Sequence, residues 1–190
     1  MIESTMARPV DKTRDFLREY YGKTLQRTED LQFGACCVDE GRSRFREILD
    51  LIPEEVKSRQ YGCGSPIPAD SLEGLSVLDL GSGAGTDSFI LSRLVGARGR
   101  VIGIDMTDAQ LAVARRNVAA VSEKFGYTAP NVEFREDFIE AADSVPDESV
   151  DLAPVRVDQD GGGVFGPLLA VAGDDLHELG EGHRQHGLED

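Results

Sequence analysis

The 190 residues contain no tryptophan, four tyrosines, three cysteines and three histidines. Basic residues are in deficit as well: 20 Lys and Arg face 35 Asp and Glu, a net charge of −15. So acidic a chain repels phosphate backbones and anionic lipid, which argues against nucleic acid and membrane surfaces as partners. No apolar run approaches the length of a membrane span. The opening Met1-Ile2-Glu3-Ser4-Thr5 lacks the basic-then-apolar pattern of a signal peptide. These absences predict a cytoplasmic protein, with Cys36, Cys37 and Cys63 reduced. His177, His183 and His186 all fall near the C-terminus, without the helical spacing or surrounding core that would fix a metal geometry.

Hydrophobic residues make up 40% and charged residues 29%, an ordinary balance for a soluble globular chain, and the length suits one domain or a domain with an extension. That domain is organised around Val77-Leu78-Asp79-Leu80-Gly81-Ser82-Gly83-Ala84-Gly85-Thr86-Asp87. An apolar run stops at three alternating glycines, and Phe89 to Val95 follow at helical spacing. Strand, glycine turn and helix open a nucleotide-binding βαβ unit. Glycine lets the backbone turn tightly and approach a ligand, and the helix offers it free N–H groups. A dinucleotide fingerprint reads GxGxxG, whereas this one reads GxGxG with Thr86 at the last glycine's place. Asp79, inside the strand, suits a ligand carrying an amino group better than a pyrophosphate, so an NAD-dependent oxidoreductase is disfavoured. A second strand, Arg100 to Asp105, ends in an acid twenty residues after Gly85, where a carboxylate can accept from both ribose hydroxyls. Together these features resemble the class I S-adenosylmethionine (SAM) methyltransferases; the plain alternative is a glycine turn with no ligand.

Before this unit, Phe16, Leu17, Tyr20 and Tyr21 predict a helix ended by Gly22, which either packs on the domain or lids its pocket. Paired cysteines sit in the loop Leu31 to Val38. Phe45, Ile48, Leu49 and Ile52 space out a second helix closed before Pro53, and Glu54-Glu55-Val56 start a short third turn. Tyr61-Gly62-Cys63-Gly64-Ser65-Pro66 has the composition of a fixed loop. After Asp105, Thr107 is placed to cap a helix with apolar positions at Leu111, Val113, Ala114 and Val118. Asn131 to Asp137 alternates like an edge strand, and Ser149 to Leu152 begin a fourth. Beyond Leu152 the pattern breaks: Pro154, Arg156 and Asp158 are poor residues for a central parallel strand. Three regions follow from this reading: a helical lid with cysteine loops over 1–70, an incomplete Rossmann-like α/β domain over 71–152, and an atypical, disordered tail over 153–190.

The chain as a whole resembles the arsenite methyltransferases. The matching segments are Tyr20-Tyr21-Gly22-Lys23, Asp30-Leu31-Gln32 with Cys36 soon after, Tyr61-Gly62-Cys63-Gly64, Leu78 to Gly83, Gly103 to Thr107 and Phe138-Ile139-Glu140. The resemblance implies SAM as cofactor and trivalent arsenic, held by thiolates, as substrate. Soft arsenic suits soft sulfur ligands. Its lone pair can attack the methyl carbon without a general base, so catalysis reduces to orientation and desolvation. Cys36 and Cys63 match the two N-terminal family cysteines, both as catalytic thiols and as arsenic ligands, and are implied to exchange thiol and disulfide states. A thiol reductant such as thioredoxin or glutathione is then the implied partner. Carried over residue by residue, Gly81, Gly83 and Gly85 meet SAM through backbone, Asp105 takes the ribose, and Met106 lies against the adenine. Asp79 sits near the amino acid end, Ile139 and Glu140 border the adenine, and Tyr61 closes over the site.

The chain departs from the family after Leu152. The family's later arsenic-binding cysteines have no counterpart, because no cysteine follows Cys63. A truncated or frameshifted gene is the simplest account, and it predicts impaired arsenite methylation. A non-catalytic SAM-binding or metalloid-binding remnant, and a SAM methyltransferase for another small molecule, remain as alternatives.

Overall fold

The computed structural model describes residues 18–24, 43–60, 67–139, 141–147, 149–154 and 167–169. Its centre is a sheet of five strands in the order β3-β2-β1-β4-β5. β1 (Ser76–Leu80), β2 (Arg100–Asp105) and β3 (Val132–Glu136) run parallel in register, with Val77 opposite Val101 and Val101 opposite Val132. The crossovers are α3 (Thr86–Val95) and α4 (Asp108–Lys124). α1 (Arg46–Leu49) and α2 (Glu54–Lys57) precede the sheet. β3 is an edge strand, as its alternation predicts.

Pleating divides the core. Val77, Val101, Val132, Phe134 and Leu152 pack against α3 and α4 through Phe89, Ile90, Leu91, Leu111 and Ala114. Right-handed βαβ connections put both helices on this face. Phe89 is 0% exposed and meets Phe134 edge to face at 5.5 Å. Leu78, Ile102, Ile104 and Ala153 point the other way, where the β3–β4 connection covers them with Ala142, Val145 and Val150. That connection crosses from the β3 edge past β1, so the strand order reverses between β1 and β4 and opens a crevice at the carboxyl ends there.

Several local expectations are adjusted. Gly22 does not end its segment: residues 18–19 are helical and Tyr20–Thr24 continue as one π-helical turn. The region of Phe45 to Ile52 forms a 3₁₀ turn, Ser43–Phe45, leading into the short α1. β4 runs Leu152–Pro154 rather than from Ser149. Asp151, just before it, clamps the start of β1: its N–H donates to the Ser76 carbonyl at 2.7 Å and its carboxylate accepts the Ser76 N–H at 2.8 Å. Pro154 is accommodated because β4 pairs with β1 only at Leu152 opposite Val77, which leaves Pro154 beyond that ladder. β5 (Pro167–Leu169) pairs antiparallel on β4's other side and sets Pro167 opposite Pro154, so the end pair lacks both N–H donors. Arg156, Asp158 and the rest of 155–190 lie outside the described residues.

The segments before the sheet are tied to α3 and α4. Val56 of α2 is 0% exposed. Glu55 beside it takes both Arg116 Nε at 3.1 Å and Asn117 Nδ2 at 3.2 Å, from α4. The bond from Arg116, and then that from Asn117, hold the Glu55 carboxyl below its usual range. Lys124 Nζ donates to the Leu51 carbonyl at 3.0 Å.

Candidate functional site

The glycine loop is built as an open cradle with a packed base. Gly81 has φ +75° and Gly83 φ +53°, and a Cβ on either would meet nothing within 4 Å. Gly85 differs. At φ +94° it precedes α3, but a Cβ there would lie 2.7 Å from Phe134 Cζ and 3.2 Å from Ala114. Its glycine is required by packing beneath the loop, whereas the other two leave backbone facing space. Gly103 of β2 belongs with Gly85, since its Cβ would lie 2.8 Å from Phe134 and 2.9 Å from Ser82. The loop is pinned over β2 by the Gly81 and Ser82 N–H groups, each 2.9 Å from the Ile104 carbonyl. Ser82 keeps a buried hydroxyl oxygen without a hydrogen-bond partner. Left-handed glycines with open space beside them are what a ligand-binding loop presents.

Asp105 closes the other side. The Gly83 N–H donates to Oδ2 at 3.0 Å and the Thr107 N–H to Oδ1 at 2.7 Å. Thr107 does not cap α4 through its side chain. Burial pushes the Asp105 carboxyl above its ordinary value, although the Thr107 and Gly83 bonds pull the other way. The acid expected at the ribose is thus held at the mouth of the cradle, one residue before the half-buried Met106. Ile139, after β3, is the exposed large hydrophobic residue among those described, at 53%.

Asp79 is only 5% exposed, and its carboxylate accepts the hydroxyl of Ser88 from the first turn of α3. Its observed contact is therefore with the helix that follows the loop. Cys36, Cys63, Tyr61 and Glu140 lie outside the described residues, as does Cys37. Among the described residues no cluster of three or more His, Cys, Asp or Glu is set to hold a metal ion. No helix among them is long and apolar enough to cross a membrane.

Three contributors escape sequence reasoning. Asp137 fixes the loop carrying Ile139: the Phe138 N–H donates to Oδ1 at 2.7 Å and the Ser144 N–H to Oδ2 at 2.6 Å. Burial acts to raise the Asp137 carboxyl, but the Ser144 and Phe138 bonds outweigh it and hold the group below its usual range. Thr86, at the missing third glycine, is 5% exposed and donates its hydroxyl to the Val56 carbonyl at 3.4 Å. Arg18 bonds Glu136, the last residue of β3, at 2.6 Å. Only Asp137, in its strand-end acid position, carried a sequence signal.

Residues 71–159 match the family described as a methyltransferase domain. The region has the Rossmann-like class I methyltransferase fold. The chain containing it is similar to the arsenite methyltransferase of Mus musculus, 43% identical over 150 residues, which are 77% of this chain and 40% of that protein. It is 46% identical over 125 residues to the arsenite methyltransferase of Aquipseudomonas alcaligenes, covering 65% of this chain and 35% of that one. The fold superposes with a TM-score of 0.54 on the crystal structure of an arsenic(III) S-adenosylmethionine methyltransferase from Chlamydomonas reinhardtii, at 46% identity, over 57% of this chain and 36% of that chain. The chain thus spans 40% or less of the length of these relatives. The resemblance read from the motifs, and the Rossmann-like class I fold, are borne out.

Proposed function

We propose that the methyltransferase domain binds SAM at the carboxyl ends of β1 and β2, beside the crevice between β1 and β4, for transfer of its methyl group to trivalent arsenic. One observation carries the cofactor half: Asp105 and Gly83 are hydrogen-bonded across the mouth of an open cradle formed by Gly81 and Gly83. A carboxylate offers about four acceptor sites, and the two backbone N–H bonds take two of them. Those left over suit ribose hydroxyls and would repel a phosphate placed there. Met106 and Ile139 offer apolar surface for the adenine, and Glu140 is next in sequence. Bound SAM supplies a methyl carbon activated by a positively charged sulfur. Asp79 supports the amino acid end indirectly, through the helix its carboxylate anchors at Ser88.

The arsenic half rests on likeness to the arsenite methyltransferases and on the chemistry of Cys36 and Cys63. Two thiolates hold a soft trivalent centre and leave its lone pair directed outward. The chain supplies no further cysteine beyond Cys63, and Cys37 is given no role. A cytoplasmic thiol reductant, thioredoxin or glutathione, restores Cys36 and Cys63 if they become linked. With two sulfurs of a trigonal site, the 190-residue chain is expected to bind SAM and methylate arsenite poorly. Incubation with arsenite, SAM and glutathione, followed by chromatography of arsenic species, tests this. SAM binding with little or no methylarsenical fits the reading. Rapid methylation would show that two cysteines suffice, and methylation of a different acceptor in its place would overturn the choice of arsenic.

A further inference from the structure

The π-helical turn Tyr20–Thr24 lies against the start of α4: a Cβ on Gly22 would sit 3.4 Å from Thr107 Cγ2 and 3.9 Å from the Ala109 Cβ. Thr107 is the residue whose N–H fixes Asp105. Two residues before the turn, Arg18 reaches the far side of the same rim and pairs with Glu136 at the end of β3. Residues 18–24 therefore bridge the carboxyl ends of β2 and β3, beside Asp105 and the loop that carries Ile139. The two anchors differ in kind. The turn is seated on Thr107 and Ala109 at van der Waals distance. The β3 end is held through an ion pair whose side chains are 41% and 48% exposed. π-helical turns are rare and are frequent at functional sites.

We propose that residues 18–24 are a strap across the ribose end of the cofactor crevice, and that the Arg18–Glu136 pair is its latch, controlling how fast SAM leaves. The proposal rests on SAM as ligand, and goes beyond it by assigning Arg18 and Glu136 as positioning residues that do not touch the cofactor. Release requires the strap to lift from β3. The exposed Arg18–Glu136 pair, screened by salt, tunes the ease of that step. The seat on Thr107 and Ala109 is apolar and insensitive to salt, so the strap swings about the turn rather than detaching.

Stopped-flow release of SAM, chased with excess S-adenosylhomocysteine, tests the latch in the full chain. Arg18→Glu and Glu136→Arg should each speed release roughly two- to fivefold, with little change in association. The double exchange should restore the native rate. Raising ionic strength should speed release from the native chain and leave Arg18→Ala nearly flat. Thermal unfolding midpoints of all variants should stay within about a degree or two of native, since the pair is exposed. Release rates unchanged in both single variants, or no recovery in the double exchange, would overturn the latch. Absence of SAM binding by the native chain would instead overturn the cofactor assignment.

Discussion

If Asp105 takes the ribose as proposed, it carries opposing demands in the free and ligand-bound protein. Its carboxyl is raised by burial, so the folded chain holds a proton there at pH values where the unfolded chain, with a carboxyl near 3.8, has lost it. Ionisation of this group therefore opposes folding, and that cost is relieved as pH falls through the raised value. Ligand binding runs the other way, because ribose hydroxyls need the ionised acceptor. SAM affinity is expected to weaken as pH drops through the Asp105 transition, and Asp105→Asn should flatten that pH profile in a calorimetric series. The glycines divide by a similar logic. Gly85→Ala forces a methyl group to within 2.7 Å of the Phe134 ring at φ +94°, and should destabilise the fold by about 1–3 kcal/mol in urea unfolding. Gly83→Ala meets open space, so beyond about 1 kcal/mol of left-handed backbone strain its main effect should be on SAM binding. Equal loss of affinity with no difference in stability between the two would contradict this division.

Among the elements, those specified by local pattern were legible and those specified by distant partners were not. β1, α3, β2 and α4 follow from apolar periodicity and from glycines that interrupt it; of the positions that spacing predicts in α4, Leu111, Val113 and Ala114 are buried and Val118 is half-buried. The different packing beneath Gly81, Gly83 and Gly85 was not legible, because only tertiary contact with Phe134 distinguishes them. Pro154 in β4 was unreadable for the same reason: whether a strand residue needs its N–H depends on how far the neighbouring strand extends. The Thr86 and Arg18 contacts span 30 and 118 residues and leave no local trace. The β3–β4 connection offers a direct check. Asp137 is depressed below its usual range, so its contribution is present above the unfolded carboxyl value and lost as pH falls through the folded one. Hydrogen exchange should show the Phe138 and Ser144 amides losing protection in acid before the β1 and β2 amides do. Asp137→Ala should reproduce that loss at neutral pH, at a cost of about 1–3 kcal/mol for an unpaired pair of donors. Protected amides in that variant would show that the carboxylate does not organise the loop.

For the molecule as a whole, the proposed reaction requires two regions to act together: the methyltransferase domain and the preceding segment that bears Cys36 and Cys63. They are joined by buried Val56, by the Glu55 pair with Arg116 and Asn117, and by Thr86 at the first turn of α3. If the two thiols share one arsenic atom, they must also approach within disulfide reach, with Cα atoms about 7 Å apart or less. Mild oxidation followed by peptide mass spectrometry should then find Cys36 linked to Cys63, and arsenite added beforehand should suppress the link. Linkage of Cys37 alone would contradict the pairing. The central claim is that the cradle of Gly81 and Gly83, closed by Asp105, holds SAM, and calorimetric titration of the native chain against Asp105→Ala tests it most directly. Loss of hydrogen bonds to two ribose hydroxyls, each worth about 0.5–1.5 kcal/mol, should lower SAM affinity roughly tenfold or more while the variant stays folded. A folded variant that binds SAM as tightly as the native chain, or a native chain that does not bind it, would contradict the account.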